Sequence, residues 1–152
     1  MLVVLRTLDW TGFPRRVALL VAALGLIVLA GWALDVPLIK SALPGAIEMK
    51  ANTALCFMLA GGALFLRLQT PSWQRLAQSM ALAVAAIGLA TLGEYVFGWQ
   101  LGIDQLLFRE PAGALYTLHP GRMSVYAATG FSAVARPTEI GGLMGLVLEK
   151  QG

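Results

Sequence analysis

Glu94 is the side chain whose type and position are best suited to chemistry. It ends an otherwise uncharged run at 77–93 and lies about one turn before Gly98. An ionisable group inside a membrane-spanning helix is costly to place there, so it is a functional hypothesis by default. Two interpretations remain open. Either the carboxylate reaches the headgroup region, or it pairs with a base such as Lys50 or Arg122 and forms part of a bistable switch.

The segment 99–122 carries a second group of candidate residues with balanced charge. Asp104, Arg109 and Glu110 either form a small ligand patch or are ordinary solvated loop charges. Arg122 closes the segment and is one of the two candidate partners of the buried acid.

Metal and enzyme chemistry have little support. His119 is the single histidine and Cys56 the single cysteine, whereas zinc and haem sites use several such ligands. Cys56 lies in an apolar run and is expected to pack there. No Ser-His-Asp set, glycine-rich phosphate loop or water-facing carboxylate pair is evident. We therefore expect no enzymatic activity, no cofactor and no metal.

The composition predicts a polytopic membrane protein. The 152 residues are 58% hydrophobic and 12% charged, whereas soluble domains average about 45–50% and about 25%. Lipid covers such an excess of apolar side chains. The net charge of +3 comes from bases that flank the apolar runs, so the bilayer is the predicted partner, and nucleic acid is not.

The chain divides into a cytoplasmic N-terminal segment (1–16), a membrane domain (17–135) and a short amphipathic C-terminal tail (136–152). Long apolar runs predict three full spans and a fourth that is incomplete or kinked, at 17–34, 52–66, 77–98 and 123–135. The N-terminal segment is either an interfacial helix or a frayed tail, and a cleaved signal peptide is the alternative for the first span. The predicted fold is an all-α helical bundle.

Local signals set the ends of two of these spans. Asn52 or Thr53 is expected to cap the second helix, because their side chains can accept from its first N–H groups. Arg136 and Pro137 interrupt the fourth. A charge at mid-bilayer costs about 2.5–3.5 kcal/mol, and proline removes a helix donor. We expect that helix to start near Met123 and to kink or stop around Arg136.

Charge asymmetry predicts the orientation. Arg15 and Arg16 precede the first span, and Arg67 and Arg75 follow the second with no acid between them. The charges of the intervening loop, 35–51, cancel. By the positive-inside rule the N-terminus and the 67–75 loop are cytoplasmic.

A short internal similarity predicts two parallel helical-hairpin repeats. Residues 31–35 (GWALD) match 98–102 (GWQLG), and a Pro-Gly pair precedes both Met49 and Met123. Because both halves would start on the same side, the repeat axis would lie along the membrane normal.

The third span carries small residues at helical spacing, which allow close approach of another helix. They form two neighbouring stripes: Ala81, Ala85 and Gly88, then Ala83, Ala86 and Ala90. Such stripes predict a homo-oligomer or partner membrane helices. The alternative is simple richness in alanine and glycine.

Several segments together resemble one family, over about residues 17–124. They are Pro44-Gly45, Met49, Asn52-Thr53-Ala54-Leu55-Cys56-Phe57, residues 92–98 (LGEYVFG), residues 101–108 (LGIDQLLF) and residues 120–124 (PGRMS). Their order and spacing are similar to the membrane-embedded N-terminal sensory region of bacterial signalling proteins that carry PAS, histidine-kinase or GGDEF modules. The resemblance implies an input module whose helices pass a stimulus to a cytoplasmic output domain. No such output module is present in the sequence.

The sequence thus predicts a sensory or anchoring input module in the bacterial inner membrane, either of a two-component system or of a diguanylate cyclase. The candidate signalling or packing residues are Glu94, Asn52, Thr53, Asp104 and Arg122. A truncated fragment without output fits the same pattern. The alternative is a free-standing small membrane protein that acts by helix–helix association. A transporter role is weaker, because broken helices with paired polar groups are missing.

Overall fold

A computed structural model describes residues 12–41, 48–110 and 119–135 of the chain. In these ranges the regular elements are helices and no strand occurs, which confirms the all-α prediction there. The α-helices are α1 (Phe13–Ala33), α2 (Pro37–Ser41), α3 (Ala51–Arg67), α4 (Gln74–Phe97) and α5 (Val125–Ser132). Residues 1–11 and the predicted tail, 136–152, lie outside the described residues.

Two helices are long and apolar enough to cross a membrane. They are α1, with 21 residues, and the segment Pro71–Phe97, with 27, in which a 3-10 turn leads into α4. The apolar helix α3 has only 17 residues. At 1.5 Å per residue it is about 26 Å long, whereas the hydrocarbon core is about 30 Å thick. Of the three predicted full spans, two therefore reach the length of a crossing helix.

The first helix starts earlier than the sequence indicates. Proline is favoured in the first turn of a helix, where its missing N–H is not needed, and Pro14 lets α1 begin at Phe13. Four residues of the predicted N-terminal segment are thus helical. At the far end of the bundle α4 stops at Phe97, because Gly98 (φ 67°) adopts the left-handed conformation that ends many helices.

The fourth predicted span is a short helix in the described residues. The Ser124 hydroxyl accepts a hydrogen bond from the N–H of Ala127 at 3.2 Å and caps the start of α5. The helix ends at Ser132, before the position of Arg136. Its eight residues are far too few to cross a bilayer by themselves.

Glycines permit close contact in both helical hairpins, α1 on α3 and α4 on α5. A Cβ atom added to Gly25 would collide with the backbone of Ala54 and Met58. In the second hairpin, a Cβ on Gly88 would lie 2.7 Å from the carbonyl oxygen of Ala128. A Cβ atom on Gly61 would likewise collide with the backbone of Ala22, so α1 and α3 touch at two points and α4 and α5 at one, as small residues allow.

Only one of the two predicted small-residue stripes on α4 is packed. Ala81, Ala85 and Gly88 are buried, and Gly88 contacts α5. The other stripe is exposed at Ala83 and Ala86 and half-buried at Ala90.

The main core cluster joins α3, α4 and α5. Its buried members are Cys56, Val84, Met123, Ala128 and Phe131. Phe57 packs edge-on against Phe131, with ring centroids 5.2 Å apart and planes at 80°. Cys56 is fully buried in this cluster, in agreement with its predicted packing role.

Candidate functional site

The two ends of the bundle differ in charge. At the basic end, α1 begins and α3 finishes, and the Arg15 guanidinium donates to the Leu68 carbonyl at 3.0 Å. The described segments there, 12–17 and 67–76, contain bases and no acid. At the opposite end, which we term the mixed-charge end, α1 and α4 finish and α3 and α5 begin, and acids and bases occur together.

A buried cluster of two acids and one arginine lies at the mixed-charge end. Arg122 Nε donates to Asp104 Oδ2 at 2.7 Å and lies 3.4 Å from Glu94 Oε2. The other Glu94 oxygen accepts from the N–H of Leu101 at 2.9 Å. Of the two interpretations of Glu94, the structure has the buried pairing with Arg122. We term these three side chains the acid–arginine cluster.

The acid–arginine cluster contains one more acid than base. Its side chains are 0% (Glu94), 12% (Asp104) and 8% (Arg122) exposed, so water reaches them poorly. Glu94 Oε2 and Asp104 Oδ1 accept no hydrogen bond from the described residues. Buried charges are stable only when the opposite charge and hydrogen bonds compensate for lost hydration. One guanidinium compensates only partly for two carboxylates.

Left-handed glycines shape the backbone around this cluster. Gly98 (φ 67°) and Gly102 (φ 73°) turn the chain after α4, so that the N–H of Leu101 faces the Glu94 carboxylate. Gly121 (φ 76°) sits against the Asp104 carbonyl, and a Cβ there would collide with it. Residues with a side chain rarely adopt positive φ, so glycine is needed at these turns.

A second buried ion pair joins the same segment to α3. Lys50 Nζ pairs with Glu110 Oε1, and Glu110 Oε2 accepts from the N–H of Gly121. Lys50, the other candidate partner of Glu94, therefore pairs elsewhere. The predicted patch of loop charges is divided: Asp104 and Glu110 enter different ion pairs, and Arg109 is exposed.

The predicted cap of the second span is wrong. The helix begins at Ala51, with Lys50 at the N-cap position and no side-chain cap. Asn52 is already inside the helix, and its amide donates to the Ile103 carbonyl at 2.8 Å. Thr53, the next residue, is half-buried. The asparagine thus ties α3 to the 99–110 segment, a role that its sequence position did not indicate.

Each hairpin also has an aromatic residue whose role as a hydrogen-bond donor the sequence patterns did not indicate. In the first, Trp32 Nε1 donates to the Met49 carbonyl at 2.9 Å. In the second, the Tyr95 hydroxyl donates to the Met123 carbonyl at 3.0 Å. The only available signal was the methionine before each following helix.

A cavity of about 490 Å³ adjoins the acid–arginine cluster. Such a volume falls within the range of small-molecule pockets, about 300–1,000 Å³. Its walls combine charge with aromatic rings and include Glu94, Tyr95, Trp99, Asp104, His119 and Arg122. The Arg122 guanidinium lies over the Tyr95 ring, 5.3 Å from its centroid, and His119 meets the ring edge-on at 6.2 Å.

Known proteins provide no family for this chain. No protein-family model, no curated protein and no solved structure matches it. Within the described ranges, no group of three or more His, Cys, Asp or Glu side chains is placed to hold a metal ion. The acid–arginine cluster with its cavity is therefore the best-formed candidate site in those ranges.

Proposed function

We propose that the chain is the membrane-embedded sensory and anchoring input module of a bacterial signalling protein, of the histidine kinase or diguanylate cyclase type. The proposal rests on the hydrogen bonds that residues 99–110 make to three neighbouring parts of the bundle. This one segment is bonded to α3 through Asn52, to the last turn of α4 through Glu94, and to the start of α5 through Arg122. A change in this segment would act on three helices at once.

Apolar exposure supports the membrane location. Only 28% of the apolar window in α1, and 39% of that in Pro71–Phe97, is buried inside the protein. The outward face of α1 carries large hydrophobic side chains: Phe13, Leu19, Leu20, Leu24, Leu26 and Ile27. A soluble monomer rarely exposes so continuous an apolar surface, whereas lipid covers it.

The charge difference between the two ends supports the orientation. The basic end carries Arg15, Arg16, Arg67 and Arg75, and cytoplasmic ends of membrane proteins are enriched in such residues. The mixed-charge end would then face the periplasm, where a stimulus can reach the cavity. The N-terminus would be cytoplasmic, in the inner membrane.

The acid–arginine cluster suits a switch between two arrangements. Because Arg122 is shared by two acids, a ligand or proton that satisfies one carboxylate would free the arginine to move toward the other. Since Arg122 lies just before α5 and Glu94 on α4, such a shift would change the contact between these two helices.

We further propose that the two hairpins are copies of one unit, in a register one helical turn away from the sequence match. Gly25 lies seven residues before Trp32, and Gly88 lies seven residues before Tyr95. Each glycine contacts the second helix of its hairpin, and each aromatic residue donates to a methionine carbonyl. In this register Trp32 corresponds to Tyr95, not to Trp99.

Two further contacts support that register. Asp35 (φ 52°) and Gly98 (φ 67°), each three residues after its aromatic donor, share the left-handed conformation. Phe57 and Phe131, each eight residues after its methionine, pack against each other. Equivalent residues meet in this way near the axis of a two-fold arrangement.

The test is a fusion of the full chain to the catalytic domain of a diguanylate cyclase that lacks its own sensor. We expect membrane-localised fusion protein whose cyclic-di-GMP output changes at least about threefold with Glu94→Gln, which weakens the hold on Arg122. Asp35→Asn, at the exposed acid of the first hairpin, is the matched control and should leave output unchanged.

Equal output from all three correctly inserted fusions would reject the sensory role. In that case, efficient crosslinking between copies through cysteines at Leu20 or Ile27 would favour the alternative, a small membrane protein acting by helix association. Reporter fusions that place the 67–75 loop in the periplasm would reject the proposed orientation.

A further inference from the structure

We propose that the cavity beside the acid–arginine cluster binds a small monovalent organic ammonium ion. This inference rests on the proposed function, because the ammonium compound would be the stimulus of the sensory module. It is drawn from the charge of the site, its size and its walls.

The charge of the site favours a cation. Glu94 and Asp104 contribute two carboxylates to the cavity wall, whereas the described lining residues include one arginine, Arg122, and one histidine, His119. Glu94 is completely buried, and its Oε2 lacks a hydrogen-bond donor among the described residues, as does Oδ1 of Asp104. An ammonium group supplies the missing positive charge, and a hydroxyl group on the same compound, as in choline, can donate to one of these oxygens.

The size of the site favours an organic ligand. A proton shared by two carboxylates needs no cavity, and one water molecule has a share of about 30 Å³ of liquid volume. The cavity of about 490 Å³ is many times larger. A bare inorganic ion would fill a small part of it, whereas a compound with several carbon atoms could contact its walls.

The walls favour a weakly hydrated cation. Tyr95 and Trp99 line the cavity, and aromatic rings attract ammonium groups through their negatively polarised faces. The Trp99 ring stacks on Phe97, with centroids 4.8 Å apart. An anion would have to approach the two carboxylates and compete with both for Arg122.

Choline is the probe, titrated by calorimetry into the full chain in uncharged maltoside micelles at constant ionic strength. We expect saturable binding of choline and at least about tenfold weaker binding of its uncharged isostere, in which carbon replaces the quaternary nitrogen. Glu94→Gln should weaken choline binding at least about tenfold, because it removes the buried charge. Asp35→Asn should leave the affinity within about twofold.

A second variant keeps the test decisive if Glu94→Gln does not fold. Trp99 is half exposed and takes no part in the ion pairs, so Trp99→Leu should fold and should weaken choline binding about three- to tenfold. The inference is overturned if choline heats match those of sodium chloride, if the uncharged isostere binds equally well, or if acetate binds in place of choline.

Binding and signalling are measured separately, so the two proposals can fail independently. Choline binding without any change in fusion output would leave the site intact and reject the sensory role. A Glu94-dependent output that choline does not alter, in a protein that does not bind it, would leave the sensory role and reject the ammonium ligand. Protonation would then be the remaining input at the cluster.

Discussion

The two hairpins finish differently at the mixed-charge end, although both use the same kind of contact between their helices. In the first hairpin, Gly31 stands directly before the aromatic donor Trp32. A Cβ atom at Gly31 would lie 2.6 Å from the Ile39 side chain of α2. In the second, Glu94 stands directly before the donor Tyr95 and extends into the acid–arginine cluster. The first hairpin therefore packs apolar side chains at this position, whereas the second places a buried acid beside a cavity.

The ion pairs that the two hairpins make at the mixed-charge end differ in the same way. Lys40 pairs with Asp35 at 2.6 Å, but the aspartate side chain is 88% exposed, and the lysine also lies over the Trp32 ring. Arg122 likewise lies over an aromatic ring, yet the side chains of its two acids are only 0% (Glu94) and 12% (Asp104) exposed. A hairpin stabilised by backbone contact can therefore carry a site at its mixed-charge end.

The largest expected effect is at the base shared by two acids. Arg122→Met leaves two buried carboxylates without a cation, so the free energy of unfolding should fall by about 3–5 kcal/mol. Denaturation in mixed micelles, followed by circular dichroism, measures this. A loss below about 1 kcal/mol would show that the second hairpin does not depend on its cluster.

The next effect tests whether the hairpins are equivalent. Gly25→Ala and Gly88→Ala each place a Cβ against backbone atoms, so each should cost about 1–3 kcal/mol, and the two costs should be similar. Gly130→Ala is the control: a Cβ there meets nothing within 4 Å, and the change should stabilise α5 by about 0.5–1 kcal/mol. The same denaturation assay compares all three, and a large cost at only one crossing would argue against equivalence.

A smaller effect is expected at the aromatic donors. Tyr95→Phe removes only the hydroxyl that bonds to Met123, and should cost about 0.5–1.5 kcal/mol. Trp32→Phe removes the corresponding bond to Met49 and some buried volume, because Trp32 is 7% exposed, so it should cost more. The reverse order in thermal unfolding would mean that the second hairpin relies more on this bond than the first.

The smallest effect is expected at the exposed ion pair. Asp35→Asn removes a charge whose side chain faces solvent, and asparagine tolerates the positive φ of this position. Stability should change by no more than about 1 kcal/mol, as for most surface pairs. A larger loss of stability, measured in the same micelles, would mean that the Lys40–Asp35 pair stabilises the fold as much as the pairs of Arg122 with Glu94 and Asp104.

Helix type and approximate position were predictable, because each long helix is a continuous apolar run bounded by polar residues. The runs at 17–34 and 77–98 correspond to α1 and α4, with ends shifted by a few residues. Glu94 was also predictable as a special residue, since one acid in an apolar run is conspicuous. Arg122 was named as a possible partner, but so was Lys50, and distance along the chain does not choose between them.

Other parts of the site depended on contacts that no local pattern contains. Asn52 has the residue type of a helix cap, and its actual partner, the Ile103 carbonyl, is remote in sequence. Glu110 looked like an ordinary loop acid and is buried between Lys50 and Gly121. Hydrogen bonds between distant segments form only after the helices pack, so propensity and periodicity do not report them.

Hydropathy and charge are properties of contiguous residues, so the sequence alone was enough to predict apolar helices with bases concentrated at one end. The tertiary structure was needed to bring Glu94, Asp104 and Arg122 into one cluster with a cavity beside them. These features depend on which backbones approach at Gly25 and Gly88 and on which way the left-handed glycines turn the chain. Both depend on contacts between segments that are far apart in sequence, and such contacts form only when the helices pack.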